Sequence, residues 1–394
     1  MNEHKNTGSP MLWVTTWGTA EENFIATPEG MPQPLANTTV RQIVRVTTSG
    51  DEMKLRLSNR YGKSDVVIRS LHVARQIRAD QSTIDPSTDT TVRASGLEEI
   101  VIPAGAVTET DSFRFRVSAL DNIAITMYFD TAPQTPDEMT GHRGARATTY
   151  QVPGNQVSAE TFSAPVLTTS WYFLADVSLM SPAGSKAVIC FGDSITDGFG
   201  TDWAVPGKRP DTYARWGDFF ARRLQANEGT KHISVVNKGI GANSILDAWP
   251  TDAGRDRFSR DLLGHNGVGY CILLFGVNDL LSLSDTGKYD RLIPEYQKMV
   301  ALCHENGIKI YGAPILPFGK YQDYTAAAEE VRTKINSWMR SADSHMDAII
   351  DFEGALADPA DPTGILPKFA PLDGLHPYDG YETMAEVIDL TLFA

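Results

Sequence analysis

The chain has 394 residues, more than a single hydrophobic core ordinarily supports, so two domains are expected. Its 42% hydrophobic and 21% charged residues are ordinary for a globular protein. The formal charge of -14, with no run of Lys or Arg, excludes the basic face that nucleic acid or an anionic membrane surface requires. A neutral or weakly polar small-molecule substrate suits that balance.

The amino-terminal stretch "MNEHKNTGSP" lacks the basic-then-apolar signature of a signal peptide. The longest apolar run, "YCILLFGVNDLLSL", is interrupted by Asn278 and Asp279 and is too short to span a bilayer. Cys190, Cys271 and Cys303 are odd in number and lie in apolar segments, as reduced core residues do. The setting expected from this is cytoplasmic, or secreted if a leader precedes this chain.

Residues 1–180 alternate with period two. "KLRL" (Lys54–Leu57), "SFRFRV" (Ser112–Val117) and "NIAITMYF" (Asn122–Phe129) set apolar residues on one face and polar ones on the other. Short strands of this kind, joined by turn-rich links, predict an antiparallel β-sandwich or jelly roll. Two polar loops stand out: "LSNRYG" (Leu57–Gly62), which holds Asn59, and "GHRGARATTY" (Gly141–Tyr150), which holds Arg143 and Arg146. Each reads as a structural connector or as a substrate-contacting wall of a neighbouring site. "MSPAGSK" (Met180–Lys186) is the linker candidate.

Over residues 181–394 the pattern changes. "AVICF", "ISVVN", "YCILLF", "IKIYGA" and "AIIDF" are continuous apolar runs. Helical stripes lie between several of them: Trp216, Phe219, Phe220 and Leu224, then Leu292, Ile293, Tyr296, Met299, Val300 and Cys303, closing at Gly307. Strand alternating with helix predicts a parallel sheet covered on both faces.

Ligands of such a sheet bind beyond the carboxyl ends of its strands. Four motifs fall there. Ser194 lies in "CFGDSITDGFG" after the first strand, where it is a helix N-cap or a nucleophile. "NKGIGAN" (Asn237–Asn243) follows the second strand, "GVND" (Gly276–Asp279) the third, and "DGLHP" (Asp373–Pro377) the last. A serine hydroxyl needs a base, and His376 is the natural one. Of the eight histidines it alone has an acid three residues before it, Asp373, placed to take the second ring N–H. Pro377 keeps His376 extended, and the closing helix is expected from Asp379, with Glu382 in a capping-box-like pair. An attacked ester carbonyl needs oxyanion donors: the N–H of Ser194, an N–H of "GIGAN", and the Asn278 carboxamide. Asp193, Asp197 and Asp279 read as braces, Asp279 through an Asx turn. The other seven histidines read as surface or packing residues. No HExxH or CxxC spacing calls for a metal, and no cofactor is expected.

In this order, "GDSIT", "GVND" and "DGLH" resemble the blocks of the SGNH (GDSL-type) serine esterase superfamily, over about Ala187–Phe393. The resemblance implies a flavodoxin-like parallel sheet, with Ser194 as nucleophile, Asp373 and His376 completing its triad, and Asn278 as oxyanion donor. In the second block Ala242 stands where the family usually has glycine, so the backbone donor is Ala242 or Gly241. A β domain ahead of such a domain is similar to bacterial esterases that deacetylate plant carbohydrates, which implies a small acyl group such as acetyl on a sugar. Phe199, Trp203 and Trp249 either stack on such a ring or pack in the core. Two further readings stay open: an acyltransferase using the same triad, and a carbohydrate-binding protein with a vestigial esterase domain.

Overall fold

The computed structural model describes residues 10–24, 35–133 and 135–394; residues 1–9, on which the leader reading rests, lie outside them. The period-two stretches of the first part form strands. The longer ones are β1 (Met11–Gly18), β2 (Thr38–Arg45), β3 (Gly50–Ser58), β4 (Val66–Arg75), β5 (Asn122–Phe129), β6 (Thr149–Pro153) and β7 (Leu174–Pro182). One antiparallel sheet contains β1, β7 and β3 in that order; a second runs β6, β2, β5 and β4. In β3, Met53, Leu55 and Leu57 are buried while Lys54 and Arg56 are less so, as alternation requires. Leu55, Leu57, Val177 and Leu179 of the first sheet share a core with Val44, Ile68, Ile125 and Phe129 of the second, which makes a sandwich. A small third sheet joins Glu22–Asn23, Thr140–His142 and Trp171–Tyr172.

The expected linker is a tight turn. β7 continues past residue 180 to Pro182, and the Ser185 N–H donates to the Pro182 carbonyl at 3.1 Å. The chain then enters β8 (Lys186–Gly192) at once.

β8 is the second strand of a five-stranded parallel sheet, between β9 (Ile233–Gly239) and β10 (Val268–Leu274), with β11 (Lys309–Gly312) and β12 (Ala348–Ile349) beyond β10. The order β9-β8-β10-β11-β12 is flavodoxin-like, so strand order reverses beside the carboxyl end of β8. The helices are α1 (Ser194–Asp197), α2 (Trp216–Gln225), α3 (Gly254–Leu263), α4 (Lys288–Glu305), α5 (Ala326–Met339), α6 (Phe352–Leu356) and α7 (Tyr381–Glu386). The two predicted stripes belong to α2 and α4, where Trp216, Phe220, Leu224, Leu292, Tyr296 and Cys303 are buried. Among the described residues no helix is long and apolar enough to cross a membrane.

The sandwich covers β9, an edge strand whose open backbone groups would otherwise recruit another strand. Val14 of β1 joins the same apolar cluster as Val188 and Val236. The Val235 N–H donates to Thr47 Oγ1 at 3.0 Å and Ser234 Oγ to the Thr15 carbonyl at 2.6 Å. The Lys238 ammonium donates to the Thr19 carbonyl. Burial pulls that amine down to about 8, against the opposing attraction of Asp261 and Glu21.

Candidate active site

The site grows from the end of β8. Asp193 caps α1 by accepting the Ile195 N–H at 3.0 Å, which makes Ser194 the first helical residue. One turn later Gly198 stops the helix at φ 83°. Gly239 lets β9 pass this turn, since a Cβ there would run into the Asp197 amide. Burial pushes the Asp193 carboxyl up to about 7, and nearby Asp279 adds to the rise, against the Ile195 hydrogen bond.

Ser194 Oγ lies 2.8 Å from His376 Nε2, and His376 Nδ1 lies 2.7 Å from Asp373 Oδ2. Asp373 Oδ1 also accepts the N–H of Leu375 at 2.9 Å and of His376 at 3.0 Å, so one carboxylate folds its own turn and holds the ring. The Tyr378 hydroxyl donates to Asp373 Oδ2 at 2.6 Å. Burial works to raise the Asp373 carboxyl, but hydrogen bonds from His376 and Tyr378 outweigh it and hold the group well below the usual carboxylate range. The Phe199 ring packs against the imidazole, centroids 4.5 Å apart. Tyr378 was absent from the expected site, although its place two residues after His376 was a usable signal.

The closing helix corrects its expected start. It begins at Tyr381 after Gly380, without a side-chain cap, because Asp379 is engaged elsewhere. The Asp379 carboxylate pairs with Lys208, and its N–H donates to the Phe369 carbonyl at 3.2 Å.

Gly241, Ala242 and Asn278 line the same cavity as Ser194 and His376. Neither the Gly241 nor the Ala242 N–H has a hydrogen-bond partner among the described residues. Asn278 Nδ2 donates to the Asn243 carbonyl at 2.9 Å, leaving its second hydrogen for another acceptor. Gly276 permits the sharp entry to Asn278, with φ 122° and no room for a Cβ against the Tyr296 hydroxyl. Asp279 is a brace, but for another loop instead of its own turn: it accepts the N–H of Ile245 at 2.8 Å and of Leu246 at 3.1 Å.

Ala242 adopts φ 61°, the left-handed region that costs an L residue about 1–2 kcal/mol. Ala242→Gly is therefore expected to stabilise the protein by about 0.5–1 kcal/mol, after the extra chain entropy of glycine is subtracted. Denaturant unfolding checks this, and a loss of stability would contradict the strain argument.

The cavity measures about 820 Å³, and the β part builds much of its wall. Arg143 lines it, donating to Glu22 Oε2 at 2.7 Å; Arg146 lines it too, donating to Asp197 at 2.5 Å and Asp202 at 2.7 Å. "GHRGARATTY" is thus connector and wall at once. Thr168, Thr169 and Ser170 add hydroxyls, and Trp203 and Trp249 stand exposed at 52% and 57% on the same cavity. Phe199 lines it as well as packing on His376.

Asn59 is corrected. It is wholly buried, and its amide is consumed by the carbonyls of Ser64 and Ile102 at 2.8 and 3.1 Å, so it shapes its own loop and is not among the residues that line the cavity. The reverse holds for His142, expected only to pack. Its Nε2 lies 2.9 Å from Asp197 Oδ1 and its Nδ1 3.0 Å from the Ala20 carbonyl, tying the third sheet to the turn that carries Ser194. No local motif announces that contact, whose partners are 55 residues apart. Among the described residues no group of three or more His, Cys, Asp or Glu could hold a metal.

Residues 190–380 match the model of the GDSL-like Lipase/Acylhydrolase family. Among solved structures the chain is similar to a carbohydrate acetylesterase from Sinorhizobium meliloti, at 20% identity over 51% of this chain and 94% of that one, TM-score 0.38. It is also similar to the lipase/acylhydrolase from Enterococcus faecalis, at 21% identity over 51% and 92%, TM-score 0.37. A family two carbohydrate esterase from Cellvibrio japonicus matches over 98% of both chains at 12% identity, TM-score 0.38. No curated protein matches.

Proposed function

We propose, from the match of residues 190–380 to the GDSL-like lipase/acylhydrolase family, that the chain is a carboxylic ester hydrolase that cleaves small acyl esters of uncharged carbohydrates through an acyl-enzyme on Ser194. The observation that carries this reading is the unbroken chain from Ser194 Oγ through His376 to Asp373, at 2.8 and 2.7 Å, opening onto the cavity. Ser194 attacks the acyl carbon and gives its proton to His376 Nε2, while Asp373 holds the ring and balances its charge. The carbonyl oxygen, now negative, is met by the N–H groups of Ser194 and Ala242, with Gly241 in reserve, and by the Asn278 amide. His376 then protonates the departing alcohol, and water activated by the same nitrogen releases the acid.

The wall supports an uncharged, polar alcohol. Each guanidinium that faces the cavity already has a carboxylate: Glu22 for Arg143, Asp197 and Asp202 for Arg146. Among the described residues that line the cavity, no arginine or lysine is left without a carboxylate to attract an anionic substrate. Hydroxyls at Thr168, Thr169 and Ser170 on the same cavity as the exposed Trp203 and Trp249 suit a sugar ring, which pairs hydroxyl edges with apolar faces. A fatty acyl chain would want an unmixed apolar lining.

Two rate measurements test this: esters of one alcohol from acetyl to octanoyl, and acetate release from acetylated oligosaccharides. We expect kcat/KM to be highest for acetyl, to fall about tenfold or more by octanoyl, and acetate to be released. A preference for octanoyl without acetate release would replace the substrate class.

A further inference from the structure

α3 contributes a side chain that touches none of the reacting groups yet ties together the segments that surround the oxyanion. Arg257 is completely buried. Its Nε donates to Asn243 Oδ1 at 2.9 Å, its Nη1 to the Lys238 carbonyl at 2.9 Å, and its Nη2 to the Gly192 carbonyl at 2.9 Å. Asp261 balances the charge from 2.7 Å, and the guanidinium lies over the Phe191 ring, 4.1 Å from its centroid. Asn243, equally buried, donates its amide to the Asp252 carbonyl at 3.0 Å, and its own carbonyl accepts from Asn278 at 2.9 Å.

These bonds link three places. Gly192 is two residues before Ser194, and Lys238 is the penultimate residue of β9, the strand that leads to Gly241 and Ala242. Asn243 holds the carboxamide of Asn278. A planar fork of five donors on three nitrogens reaches acceptors on separate segments at once, a spread that the single nitrogen of a lysine ammonium does not match. We propose that Arg257 and Asn243 are positioning residues that set the Asn278 amide and the Gly241–Ala242 N–H groups at the oxyanion site. The inference rests on the reading of Ser194 as the nucleophile. Its physical basis is that preorganised donors lose their effect when displaced by even 1 Å, at a cost of about 100-fold.

A double-mutant cycle tests it on the full chain. Asn278→Ala should lower kcat about 100- to 1,000-fold, as loss of one oxyanion donor does. Asn243→Ala should lower kcat about 10- to 100-fold with KM changed less than about threefold. Because both act on one carboxamide, Asn243→Ala/Asn278→Ala should lose clearly less than the product of the two single losses. Arg257→Lys, which keeps the charge beside Asp261, repeats the cycle with Asn278→Ala should Asn243→Ala fail to fold. Losses that multiply fully, or a rise in KM with kcat unchanged, would overturn the positioning role. Turnover persisting in Ser194→Ala would instead remove the underlying reading, so the two failures are distinguishable.

Discussion

Ser194→Ala is expected to lower kcat by about 10⁵- to 10⁶-fold, the loss seen when an acyl-transfer nucleophile is removed. The fold should not notice. Ser194 Oγ hydrogen-bonds to His376 at the cavity floor, and a single such bond contributes about 1 kcal/mol. The Asp193 cap, the Gly198 stop and the Asp373–His376 pair do not use the serine hydroxyl. Unfolding of the variant should therefore superimpose on wild type within about 1 kcal/mol while hydrolysis disappears. An organophosphonate should add to wild type at Ser194 and leave the variant unlabelled. Turnover in the purified variant above about one part in 10³ would mean that another group attacks the ester.

Arg146→Ala is the largest stability change we expect, about 3–5 kcal/mol. Its guanidinium lies between two buried carboxylates, Asp197 at 2.5 Å and Asp202 at 2.7 Å, with side-chain exposures of 3% and 5%. Removing it leaves the Asp197 carboxylate with the His142 hydrogen bond and the weaker attraction of Arg215, and deprives Asp202 of its ion-pair partner. Against a total stability of about 5–15 kcal/mol, this is a large fraction. The pH dependence has a definite sign. Burial would raise the Asp197 carboxyl, but Arg146 and His142 hold it well below the carboxylate range. A lowered folded pKa stabilises above the unfolded value near 4 and withdraws that stability as pH falls below it. The gap between wild type and variant should accordingly be widest above about pH 5 and shrink on acidification. Denaturant unfolding from about pH 7 down to about pH 2 checks both size and trend, and a loss under about 1 kcal/mol at pH 7 would show that water replaces the guanidinium. Since Asp197 ends the turn that Ser194 begins, kcat should fall as well.

Local chemistry explains what was readable. Asp373 and His376 are three residues apart, so a single turn brings them together wherever the rest of the chain goes. The runs at β8, β9 and β10 are apolar on both faces because helices cover both sides, and a covered strand does not alternate. Gly198 and Gly276 sit at corners that only a residue without a Cβ enters at low cost. Where reading went astray, a distant partner intervened. Asp379 did not start α7 because Lys208, 171 residues away in sequence, holds its carboxylate. Asn59 looked like a polar loop residue until the Ile102 carbonyl, 43 residues off, and the nearer Ser64 carbonyl absorbed its amide.

By itself, then, the amino-acid order determined the two structural classes and the strand ends at which Ser194, Asn278, Asp373 and His376 fall, which the structure brings to one cavity or its border. Tertiary structure alone decided that Glu22, Arg143 and the Thr168–Ser170 segment form one wall of the cavity, that His142 and Arg146 grip the Ser194 turn, and that Arg257 binds two strand ends to Asn243. The reason is geometric. A motif of a few residues dictates its own turn, whereas side chains separated by 14 to 121 positions meet only after the sandwich has docked on β9 and α3 has packed beside β8.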